Sequence, residues 1–118
     1  MENKTYQGGC HCGAIRFEVS ANLEKVITCN CSMCSKAGTI LAFVPATQFK
    51  LESGEDSLSN YHFNKKVIDH LFCKHCGIKA FGRGTGSDGQ KMIAVNIRCL
   101  DNFDQIKVTP IQVDGKSY

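Results

Sequence analysis

A mainly β fold is predicted by three features of this sequence. Apolar residues recur in short runs of four to six, several of them alternating with polar ones, which is the period of a half-buried strand. A helical period is nearly absent: the only helical candidate is the short stretch 32–38. Seven of the eight cysteines fall into three tight clusters set between these runs, so covalent or metal staples supplement the core.

Taken in order, Ala14-Ile15-Arg16-Phe17-Glu18-Val19 alternates and reads as the first strand. Residues 25–28 lead into the middle cysteine cluster, and Ile40-Leu41-Ala42-Phe43-Val44 leaves it as a continuous apolar strand stopped by Pro45. Gln48-Phe49-Lys50-Leu51-Glu52 alternates again before a turn rich in Gly, Ser and acidic residues. Residues 58–63 and 67–72 read as two strands joined through Asn64-Lys65-Lys66, delivering the chain to Cys73. The glycine-rich stretch 82–89 lacks the Gly-Lys-Ser/Thr ending of a phosphate-binding loop and no helix pattern follows it, so Asp88-Gly89 is read as a hairpin turn. Residues 92–97 form the last strong strand, with weaker ones near 106–108 and 111–113. No linker or repeat divides the chain, and residues 1–118 are expected to form a single domain.

The clusters are Cys10-His11-Cys12, Cys29-Asn30-Cys31-Ser32-Met33-Cys34 and Cys73-Lys74-His75-Cys76, offering two, three and two thiols. A disulfide framework is the competing reading. The start of the chain, Met1 to Tyr6, carries no apolar run that would mark it for export, so a cytoplasmic location is expected. Clustered thiols in such a protein are metal-binding or catalytic more often than oxidised. Glycine directly after Cys12 and after Cys76 permits the tight turn of a zinc knuckle. Structural zinc takes four ligands in a closed tetrahedron, whereas catalytic zinc keeps three and an open position. Two-thiol clusters cannot fill a closed site alone, so Cys10, Cys12, Cys73 and Cys76 are assigned to one structural zinc. Cys29, Cys31 and Cys34 then hold a second zinc with one position to spare, unless Cys99 or a histidine closes it. Cys99 ends an apolar strand, where a free cysteine is usually a small hydrophobe.

The formal charge of +3 assumes protonated thiols; seven thiolates around two Zn²⁺ would cancel it. No basic run or RNA-binding motif remains to argue for nucleic acid, and no apolar run approaches the length of a membrane span.

With the clusters placed, the chain resembles the glutathione-dependent formaldehyde-activating enzyme family, which includes the centromere protein V relatives. The resemblance is carried by Gly9-Cys10-His11-Cys12-Gly13-Ala14-Ile15-Arg16-Phe17, Cys29-Asn30-Cys31-Ser32-Met33-Cys34-Ser35-Lys36-Ala37-Gly38, Phe72-Cys73-Lys74-His75-Cys76-Gly77 and Val95-Asn96-Ile97-Arg98-Cys99-Leu100-Asp101. It implies zinc-stapled antiparallel β-sheets of the β-tent type, a structural zinc on Cys10, Cys12, Cys73 and Cys76, and a catalytic zinc on Cys29, Cys31 and Cys34. The expected activity is that of a carbon–sulfur lyase joining a small thiol such as glutathione to an aldehyde such as formaldehyde. His62, His70 and Arg98 are candidates for serving the aldehyde oxygen, and Lys36 for a substrate carboxylate. The alternative is a non-enzymatic protein-binding module with two structural zincs, since function resides in the site and not the fold.

Overall fold

A computed structural model describes residues 3–30, 32–61, 69–86 and 88–114. Among the described residues ten strands form two sheets (β1 Lys4–Gly9, β2 Arg16–Ala21, β3 Ile27–Cys29, β4 Leu41–Pro45, β5 Phe49–Ser53, β6 Leu58–Tyr61, β7 Asp69–Cys73, β8 Phe81–Thr85, β9 Lys91–Asn96, β10 Ile111–Val113). The small sheet has the order β1-β2-β5 and the large one β10-β3-β4-β9-β8-β7-β6. All neighbours are antiparallel except β10, which runs parallel to β3. Among the described residues the one α-helix is α1, Ser32–Ala37, inside the middle cysteine cluster. The mainly β, antiparallel expectation holds.

The core lies between the sheets. Phe17 and Phe49 from the small sheet meet Phe81 from the large one, with ring centroids 5.2 Å apart for Phe17–Phe49 and 4.7 Å for Phe49–Phe81. Burying an aromatic of this size stabilises by about 1.5–3 kcal/mol, with a smaller increment from ring–ring geometry. Strand alternation explains who joins them. Val19 and Ala21 of β2, and Ala42 and Val44 of β4, face this core, while Phe43 between the latter two stays 52% exposed. Gly54 (φ +97°) makes the turn between β5 and β6; a Cβ there would stand 2.4 Å from the Ala14 carbonyl oxygen, so only glycine serves both the backbone and the packing.

Three sequence expectations need correction. Residues 106–108 carry no strand; the chain leaves a 3₁₀ turn at Phe103–Gln105 and runs irregularly until β10, with Ile106 and Val108 packed against the core as isolated side chains. Strand β1 went unread because Lys-Thr-Tyr-Gln-Gly-Gly has almost no apolar alternation; its glycines are needed because the Phe17 ring lies 2.7 Å from where a Gly8 Cβ would be. Strand β8 was hidden by Gly82 and Gly84, which read as loop but pair with Ala94 and Met92. The turn that follows is the expected hairpin: Gly89 has φ +82°, and the Gly86 N–H donates to the Gln90 carbonyl at 2.8 Å. The expected ends of the β6 and β7 strands, 62–63 and 67–68, lie outside the described residues.

Candidate metal centre

Two knuckle turns of the same design bring four thiols together. Cys10 follows β1 and Cys73 ends β7. In each turn the first cysteine donates its N–H to the residue five ahead, Cys10 to the Ile15 carbonyl (3.1 Å) and Cys73 to the Ile78 carbonyl (3.0 Å). Each turn then closes on a left-handed glycine, Gly13 (φ +84°) and Gly77 (φ +81°), whose N–H donates back to that cysteine's carbonyl. The turns leave backbone N–H groups aimed at sulfur: Ile15 N–H donates to Cys10 Sγ (3.3 Å) and His75 N–H to Cys73 Sγ (3.4 Å). The sulfurs of Cys10, Cys12, Cys73 and Cys76 all lie within 4.8 Å of one another. Cys12 Sγ is 3.6 Å from both Cys10 Sγ and Cys73 Sγ. A tetrahedral Zn–S bond of ~2.3 Å requires sulfurs about 3.8 Å apart, so the donor set fits such a metal in number, softness and size. Among the described residues Cys10, Cys12, Cys29, Cys34, Cys73, Cys76 and Cys99 are free thiols.

The acidity of these thiols is unevenly shared. The Ile78 N–H, followed by the backbone at Cys12, draws Cys76 down to about 6. Burial pushes Cys73 up, but the N–H groups of Cys76 and His75 outweigh it and leave this thiol lowered. Cys12 receives the Ala14 N–H, yet contact with the other sulfurs and desolvation push it up to about 11. Four adjacent sulfurs cannot all ionise without a cation between them; the turns prepare thiolates and a divalent metal would complete them.

The middle cluster sits elsewhere. Cys29 is the last residue of β3 and partly buried, Cys34 is buried on α1, and Cys31 lies outside the described residues. Its entry is tied to β10: the Asn30 N–H donates to the Val113 carbonyl (3.1 Å) and Asn30 Nδ2 to Asp114 Oδ1 (2.9 Å).

The remaining candidates separate. Cys99 lies on a 3₁₀ turn beside the four-thiol cluster, accepting from Asn96 Nδ2 at 3.6 Å and donating to the Lys79 carbonyl at 3.8 Å. Burial first, then the charge of Cys10 and Cys76, pushes its thiol up to about 11. A thiol so placed packs as a small hydrophobe. Cys99→Ala should therefore leave metal content unchanged in elemental analysis and cost about 1 kcal/mol in urea unfolding; loss of a metal would make Cys99 a ligand. His11 and His75 are exposed. His70 is 6% exposed, with Nδ1 2.9 Å from Lys79 Nζ. Arg98 is exposed, its guanidinium 5.6 Å from the Phe103 ring centre, and Lys36 is exposed on α1. His62 lies outside the described residues.

Sequence reading missed the frame that fixes Cys99. Asn96 Nδ2 donates to the Lys79 carbonyl (2.9 Å), and Arg16 Nη1 donates to Asp101 Oδ1 (2.9 Å), tying β2 to the turn after β9. The guanidinium holds the Asp101 carboxyl below its ordinary range. The only signal for these contacts was an Asn and an Asp flanking the apolar strand end.

The sequence pattern of the glutathione-dependent formaldehyde-activating enzymes matches residues 5–112, nearly the whole chain. The chain belongs to that family. A crystal structure of a Rhodobacter sphaeroides protein from a structural genomics programme is similar to it at a TM-score of 0.76 and 28% identity, covering 91% of this chain and 99% of that one. Among the described residues no helix is long and apolar enough to cross a membrane.

Proposed function

We propose that this family member is a zinc-dependent carbon–sulfur lyase that reversibly joins a small thiol, glutathione by family name, to formaldehyde. Cys10, Cys12, Cys73 and Cys76 would hold a structural zinc, and Cys29, Cys31 and Cys34 a catalytic one. The observation that supports the reading is the segregation of thiols: the sulfurs of Cys10, Cys12, Cys73 and Cys76 lie within 4.8 Å of one another, and Cys29 and Cys34 lie on β3 and α1. A reducing cytoplasm suits a chain whose described cysteines are all free.

Zinc held by Cys29, Cys31 and Cys34 would supply a soft Lewis acid that lowers the pKa of a substrate thiol. The rest falls to the chain. Asn30, bonded to β10, anchors the backbone directly after Cys29. The substrate sulfur adds its electron pair to the aldehyde carbon, the π pair moves to oxygen, and one proton arrives there. Thiol plus aldehyde thus gives an S-hydroxymethyl adduct with nothing released. Proximity at the site supplies much of the rate. Of the candidates for the oxygen, His70 is buried against Lys79, and Arg98 is open to solvent and able to donate a hydrogen bond.

Protein purified without chelator should contain two zinc ions per chain by elemental analysis. Glutathione titrated into it should release protons by calorimetry in buffers of different ionisation enthalpy, and its disulfide should not compete. One zinc or fewer would count against the two-site assignment, and no response from a broad thiol panel would transfer the protein to the binding-module reading.

A further inference from the structure

Strand β5 is one edge of the small sheet: β2 pairs with one side of it, and among the described residues no strand pairs with the other. An unpaired edge presents a row of backbone N–H and C=O groups that a further strand can complete. The opposite edge of the same sheet is met by the chain itself, since Gly8 of β1 bridges to Leu100 and the Asp101 N–H donates to the Gln7 carbonyl (2.9 Å). In the large sheet, β10 offers three residues. β5 offers five, in the order Phe49-Lys50-Leu51-Glu52-Ser53.

Its side chains fall on two faces. Phe49 and Leu51 pack against the core and are half-buried, while Lys50 and Glu52 stand exposed. Glu18 lies opposite Lys50 in the β2–β5 ladder but receives Gln7 Nε2 at 2.7 Å. Arg16, whose guanidinium feels Glu52, is committed to both oxygens of Asp101. Neither Lys50 nor Glu52 forms an ion pair among the described residues.

Two copies of β5, antiparallel across a twofold axis, can meet in several registers, and charge selects one. With Leu51 opposite Leu51 of the second copy, each Lys50 faces the other copy's Glu52, and core-facing residues meet core-facing ones. Shifting the pairing by two residues sets Lys50 against Lys50 or Glu52 against Glu52, and shifting it by one mixes the faces. We propose that β5 is a dimer interface, a second copy of this chain being the strand that completes the edge. The two small sheets then join in the order β1-β2-β5-β5-β2-β1, with the two Leu51 side chains in contact at the axis. The order Lys-Leu-Glu is self-complementary, so symmetry makes the favourable pair twice, which an unrelated strand does not do.

The test uses the metal-loaded full chain in analytical ultracentrifugation over a range of concentrations. Wild type should sediment at twice the chain mass and dissociate on dilution, more readily at high salt because exposed pairs are screened. Lys50→Glu and Glu52→Lys should each weaken the dimer on the order of tenfold or more, since each sets like charges together at both pairs. Mixed in equal amounts, the two variants should associate with each other as wild type does, because each supplies the charge the other lacks. If circular dichroism shows that Lys50→Glu does not fold beside Glu18, Glu52→Lys is compared with Glu52→Gln, and the reversal should weaken the dimer more than the neutral change. Equal effects of those two changes would overturn the inference. So would a wild type that stays monomeric up to millimolar concentration, a dimer that both reversals leave unchanged, or two weakened, folded variants that do not associate.

Discussion

Cys73→Ser and Cys76→Ser should each unfold or aggregate the protein. Cys73 is fully buried at the end of β7 and Cys76 lies three residues on, while their partners Cys10 and Cys12 sit 61 or more positions away beside β1. A metal on the four sulfurs would therefore tie the small sheet to the large one at the point where neither strand ladder connects them. Apparent binding energies for structural zinc in peptides are about 10–16 kcal/mol, comparable with the whole stability of a small domain. Loss of one ligand forfeits much of that and leaves three crowded sulfurs without their cation. Circular dichroism and size exclusion of the serine variants would check this. A folded Cys73→Ser protein with an unchanged melting temperature would show that no metal staple operates there.

Cys34→Ser should behave in the opposite way, folding normally while adduct formation falls to the spontaneous rate. Cys34 is on a helix of six residues at one end of the large sheet, and neither sheet depends on that helix for its ladder. The thiol to hydroxyl change removes a soft ligand that zinc prefers and substitutes a hydroxyl that stays protonated. Exchange between formaldehyde, glutathione and their adduct can be followed by NMR, with Cys34→Ser and wild type measured against buffer alone. Retained catalysis would remove Cys34 from the site. Unfolding as severe as that of Cys73→Ser would favour two structural metals and a scaffold.

The sheets were partly legible because half-buried strands write their alternation into the chain. β2, β4, β5 and β9 each have an apolar face wide enough to show, and the expected runs fall within two residues of the observed strands. β1 and β8 were not legible, because their glycines leave no side chain to alternate, and Gly8, Gly9 and Gly82 sit where a Cβ would crowd neighbouring atoms. The run 106–108 failed in the reverse direction: its apolar residues fill gaps in the core singly, and no neighbouring strand offers a ladder.

Cysteine number and spacing by themselves determined that two pairs must share one site and that three thiols remain over, because ligand count is a property of the metal and not of the fold. They also determined the knuckle turns, whose hydrogen bonds are local and whose glycines follow directly in sequence. The tertiary structure alone decided that Cys99 stands beside the first cluster in the grip of Asn96 and Lys79, and that Thr39 is buried with its hydroxyl unpaired. Neither could be read along the chain, because strand register and burial are set by packing between residues far apart in sequence, and a single threonine or cysteine looks the same in every environment until that packing is known.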